Sequence, residues 1–90
     1  MTPERVQRVI DKYRELFGAI GITPQGFPHE RLVDSPRSTL QHCYGMLDQM
    51  EVFLSEGKME KVFRWLGFIQ GCLWAQGIFS LDVLKEDNRS

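Results

Sequence analysis

The segment from Lys58 to Gln76, KMEKVFRWLGFIQGCLWAQ, is apolar around more of its circumference than one partner surface can cover, in a chain of only 90 residues. At about 100° per residue, Met59, Val62, Phe63, Leu66, Ile69 and Leu73 share one helical face, with Trp74 on its edge. That face suffices for a core within the chain. Trp65, Phe68 and Cys72 project to the opposite side, and a helix apolar on two faces needs two surfaces to bury them. Aromatic side chains left in water each forgo roughly 1.5–3 kcal/mol, and large exposed aromatic patches are unusual on monomers. The expectation is therefore a homo-oligomer, a symmetric dimer or higher closed assembly, with Trp65, Phe68 and Cys72 in its interface.

Gly67, Gly71 and Ala75 recur every fourth residue along the same segment, which strips side chains from a narrow ridge. Glycine inside a helix costs about 0.8–1 kcal/mol relative to alanine, so two of them call for compensation by close packing. The ridge serves either the neighbouring antiparallel helix of the same chain or a seam between subunits. Met46, Met50 and Phe53 of the preceding segment either extend that surface or fill the core.

The remaining text completes an all-α chain of a single domain. Thr2 is placed to cap a first helix, with Pro3 in its first turn; Val6, Val9, Ile10, Tyr13 and Phe17 recur at helical spacing. This helix is expected over 3–17, with Gly18 as its left-handed stop. From Ala19 to Ser35 no period is sustained, and Ile20, Ile22, Phe27, Leu32 and Val33 are expected to anchor an ordered connection. That loop either covers a core edge or presents Phe27, His29, Glu30 and Arg31 for recognition. A second helix starts at Pro36 under Ser35, or slightly later with Ser38 and Gln41 as a capping box. Its stripe is Leu40, Cys43, Tyr44, Leu47, Met50 and Leu54, and Gly57 ends it. The short connection folds the second and third helices into an antiparallel hairpin. A short fourth helix over 81–87 follows Ser80, and the tail KEDNRS is expected to fray. The fold predicted is three main helices, with a long ordered loop after the first, an antiparallel hairpin and a short C-terminal helix.

Charge and motif content narrow the function classes. A formal net charge of −1 lacks the basic excess of a dedicated nucleic-acid or membrane-surface binder, so phosphate binding through Arg5, Arg8, Lys12 and Arg14 is a minor reading. Val62 to Phe79 is interrupted by Arg64, Gln70 and Gln76, so no membrane span is expected. The opening MTPERVQRVIDKYRE is charged from Glu4 and lacks the apolar run of a secretory signal, which points to the cytoplasm. Cys43 and Cys72 allow at most one bridge and read as buried thiols in a reducing compartment. His42 and Cys43 diverge on a helix, while His29 and Cys72 have no paired ligand spacing, so neither metal nor cofactor is expected. Neither thiol has the setting of a nucleophile, the carboxylates sit on solvated faces, and no phosphate-cradling glycine motif occurs.

Gln70 stands in the middle of the first apolar face. A buried amide must be paired, either with a backbone group of the long loop or as part of a ligand pocket shared with Tyr44, Trp74 and Arg64. The leading reading is a non-enzymatic protein that acts by protein–protein interaction. A small-molecule or nucleotide sponge, with a pocket between subunits, is the alternative.

The text RWLGFIQG (64–71), LWAQGIFS (73–80) and LKEDNR (84–89) resembles the C-terminal half of small uncharacterised proteins of tailed bacteriophages and prophages. The resemblance spans Gly57 to Arg89, about a third of the chain, and carries no catalytic residues. It implies a viral or prophage accessory protein, working in the host cytoplasm and directed at a host or viral partner, with inhibition of a host factor as one outcome.

Overall fold

A computed structural model describes residues 1–28 and 32–89. Among these residues the regular structure is entirely helical: α1 (Pro3–Ala19), α2 (Pro36–Ser55), α3 (Met59–Ala75) and α4 (Leu81–Asp87). The starts follow capping chemistry. The side-chain oxygens of Thr2, Ser35 and Ser80 accept the backbone N–H groups of Arg5, Ser38 and Val83 at 3.1, 3.1 and 3.3 Å, while Pro3 and Pro36 occupy first turns that need no donor. Ser35 is thus the cap of α2, not Ser38.

The ends of α1, α2 and α3 share one device. Gly21, Gly57 and Gly77 have φ of 77°, 73° and 71°, and the next residue's N–H reaches back to Phe17, Phe53 and Leu73 carbonyls at 2.9 Å each. This is the left-handed stop with its six-residue hydrogen bond, a conformation only glycine enters without strain. It corrects one boundary: α1 continues through Gly18 to Ala19, because Gly21 and not Gly18 takes the positive φ.

α2 packs against both α1 and α3, and α2 and α3 form the antiparallel hairpin. Val6, Ile10, Tyr13 and Phe17 of α1, Cys43, Leu47 and Met50 of α2, and Val62, Ile69 and Leu73 of α3 are wholly removed from solvent. Met50 and Phe53 are core residues, so the methionine stripe is mainly filling; Met46 is only half-buried.

The connection after α1 lies across α2. Ile22 is buried, Gln25 N–H donates to the Gln41 carbonyl at 3.0 Å, and the Gln41 side chain donates to Thr23 Oγ1 at 3.1 Å. The crossing is close at Gly45, where a Cβ would stand 3.2 Å from the Gln25 carbonyl oxygen. Leu32 and Val33, expected as anchors, are 89% and 52% exposed, and Ile20 is exposed too. The hydrogen bonds to α2 hold the loop upstream of them, so only Ile22 and Phe27 are drawn in. The recognition residues expected at His29, Glu30 and Arg31 lie outside the described residues.

The expected fraying of KEDNRS is overturned over Asp87 and Asn88. Asp87 is buried; its carboxylate accepts from Tyr13 Oη at 2.8 Å and pairs with Lys12 Nζ at 2.7 Å. Arg5 donates to the Asp87 and Glu86 carbonyls at 3.0 and 2.6 Å, a cation on the orphan acceptors of the C-terminus of α4.

Candidate functional site

The outer face of α3 is open and carries three exposed aromatic side chains. Gly67 and Gly71 are exposed, and a Cβ built on either meets nothing within 4 Å. The ridge Gly67–Gly71–Ala75 therefore does not serve helix packing within the chain, because α2 lies on the other side of α3, against Val62, Leu66, Ile69 and Leu73. Aromatic side chains border it: Phe68 is 54% exposed on one flank, and Phe63 and Trp74, at 42% and 54%, stand on the other. Leu81 of α4, also exposed, continues the Trp74 flank.

This surface is rotated from the one the periodicity suggests. Phe63 was assigned to the core face and is instead open. Trp65 is half-buried, its indole edge-on to Phe53 with ring centroids 5.0 Å apart at 88°. Cys72 likewise turns toward α2 and is half-buried against the core. α2 covers this side of α3 as well, with Phe53 against the Trp65 ring and Cys72 packed on the core cluster.

Two adjoining hollows lie where α2 meets α3. One, of about 390 Å³, is lined by His42, Met46, Arg64, Trp65 and Phe68; the next, of about 160 Å³, reaches Gly26, Gly45 and Gln49. The His42 ring stands between Phe27 at 6.1 Å and Phe68 at 6.4 Å, and its Nδ1 is buried with no hydrogen-bond partner. A third cleft of about 240 Å³, on the far flank, is walled by Trp74, Leu81 and Leu84, with Gln70, Lys85 and Asn88 as its polar groups.

Within the single chain, Gln70, Trp74, Tyr44 and Arg64 do not line one cavity. Gln70 and Trp74 line the third cleft, Arg64 lines the first hollow, and Tyr44 stacks on Phe17 at 5.4 Å in the α1–α2 contact. Gln70 finds its partners away from the loop. Its amide donates to Tyr13 Oη at 3.0 Å and Asn88 Oδ1 at 2.7 Å, and accepts from Asn88 Nδ2 at 2.9 Å. Burial pushes the Tyr13 phenol well above its ordinary value; the Asp87 carboxylate adds to the rise, while the Gln70 hydrogen bond opposes it.

The basic residues of α1 are mostly committed. Arg5 holds the end of α4, Lys12 pairs with Asp87 and lies 4.9 Å over the Phe79 ring, and Arg14 pairs with Asp48 at 2.9 Å and with Glu51. Glu51, bonded to Arg14, has its carboxyl held below the usual range, and Arg14 is raised in turn. No cluster of three or more potential metal-ligating side chains occurs among the described residues, and none of their helices is long and apolar enough to cross a membrane.

Lys85 and Asn88 are cleft-lining residues that the sequence did not single out. Asn88 lay in text read as tail, although Asp87 and Asn88 continue directly from a capped helix. Comparison with protein-family models, curated proteins and solved structures finds no match to this chain.

Proposed function

We propose that this chain is a non-enzymatic interaction protein that works as a symmetric dimer built on the outer face of α3. The observation that carries the reading is a glycine ridge open to solvent and bordered on both sides by exposed Phe63, Phe68 and Trp74. Burying those rings against a second copy removes exposed aromatic area from water, and the absent Cβ atoms at Gly67 and Gly71 let two backbones approach. The face is self-complementary for an antiparallel pair. With the two-fold axis midway between Gly67 and Gly71, Arg64 comes opposite Trp74 of the second copy, a cation over an indole, and the two Phe68 rings meet beside the axis.

The dimer leaves the smaller hollow, lined by Gly26, His42, Gly45, Met46 and Gln49, at its margin for a protein of host or viral origin. The likeness of Gly57–Arg89 to phage and prophage proteins supports an accessory role of that kind, in the host cytoplasm. Sedimentation velocity across a dilution series tests the dimer. The wild type is expected to pass from dimer to monomer on dilution, and Phe68→Glu and Trp74→Glu to remain monomeric with an unchanged helical circular-dichroism spectrum. A wild type that stays monomeric at high concentration would overturn the proposal.

The sponge reading retains one supporting observation, the cleft that combines Trp74 and Leu81 with the amides of Gln70 and Asn88 and the Lys85 ammonium. A nucleotide panel that raises the melting temperature with ligand concentration would favour it.

A further inference from the structure

Cys43 and Cys72 are the two cysteines of the chain, and the antiparallel hairpin that turns at Gly57, nearly midway between them, sets them opposite each other. Cys43 is wholly buried on the face of α2 that meets α3; Cys72 is half-buried on the α2-facing edge of α3, and both are free thiols. Cys72 packs against the core cluster to which Cys43 belongs. Interhelical apposition of two sulfurs, one buried and one reachable, is the arrangement of an attacking thiol backed by a resolving thiol.

We propose that Cys43 and Cys72 form a reversible intrachain disulfide when the protein meets a low-molecular-weight disulfide. The Cys72 thiolate attacks one sulfur of the small disulfide, forming a mixed disulfide and expelling one small thiolate. Cys43 then loses its proton and attacks Cys72 Sγ, forming the Cys43–Cys72 bond and expelling the second small thiolate, which takes up a proton. Two protein thiols are oxidised and one small disulfide is reduced to two thiols. Burial holds the Cys43 thiol well above its ordinary value, with Cys72 adding to the shift, so entry is at Cys72 and Cys43 reacts only with the sulfur delivered to it. The bridge closes a loop containing the whole α2–α3 turn and raises the melting temperature by on the order of 10 °C.

The full chain is incubated with oxidised glutathione under native conditions, quenched in acid, alkylated with a maleimide and weighed intact. Expected are simultaneous loss of both thiols, a mass lower by two hydrogens with no glutathione retained, a single-chain band on a non-reducing gel, and full reversal by dithiothreitol. Cys43→Ala is expected to trap glutathione on Cys72, and Cys72→Ala to leave Cys43 unmodified. Wild type that retains glutathione on Cys72 beside a free Cys43, that links two chains, or that keeps both thiols while folded would each overturn the proposal. The wild-type mass alone decides should the Cys43 variant not fold.

Discussion

The Tyr13 hydroxyl donates to Asp87 Oδ2 at 2.8 Å and accepts from Gln70, so one phenol joins the first helix to the last. Around it, Lys12, Arg5 and Asn88 complete a polar joint that holds α4 on α1 and α3. Low local dielectric makes each of these bonds count, and makes each costly to leave half-made.

Tyr13→Phe removes the shared hydroxyl and leaves Asp87 and Gln70 each short of a partner. The expected loss is about 1–3 kcal/mol in urea unfolding, with the amides of α4 losing exchange protection first. The wild type should also weaken in alkali. The folded-state phenol is raised above its ordinary value of 10.0, so its contribution is complete below pH 10 and declines as pH climbs beyond it. Stability of Tyr13→Phe should lack this decline, and matching alkaline limbs for the two proteins would refute the assignment.

Glu51 gives the opposite sign. Its carboxyl is held below the ordinary 4.5, first by the hydrogen bond from Arg14, so the stability it adds is present above that value and lost as pH falls through and below it. The pair is partly exposed, and about 0.2–1 kcal/mol is at stake. Glu51→Gln should flatten the acid limb of a stability–pH curve by that amount; an unchanged limb would show the pair to be energetically silent.

Gly45→Ala sets a helix-propensity gain against a clash with the Gln25 carbonyl, a backbone atom that cannot rotate away. We expect the clash to win, with a lower melting temperature and faster proteolytic cutting near Gln25. A higher melting temperature would mean that the loop does not lie across α2 there.

Gly71→Ala should divide by concentration. In the single chain its Cβ meets open space, so dilute protein gains about 0.8–1 kcal/mol in denaturation. In the proposed dimer the same methyl group separates two backbones, so sedimentation at high concentration should show weaker association. Association unchanged or strengthened by alanine would remove the glycine ridge from the interface.

Local chemistry in the chain was enough to specify the four helices, the caps at Thr2 and Ser80, the stop at Gly57 and the hairpin, because each depends on residues within a turn or so of itself; between Ser35 and Ser38 as the cap of α2 the structure decided. Periodicity also placed Val62, Leu66, Ile69 and Leu73 inside, since 3.6 residues per turn fixes which side chains share a face. What periodicity lacks is the width of the neighbour's footprint. That width decided that Trp65 and Cys72 turn inward while Phe63 stays open, and that a Cβ on the Gly67–Gly71 ridge would meet none of the described residues. The partners of Gln70 and the ordering of Asp87 and Asn88 are likewise tertiary outcomes. They rest on Tyr13 and Arg5, far away in the chain, and a hydrogen bond across such a separation has no local signature until the helices have docked.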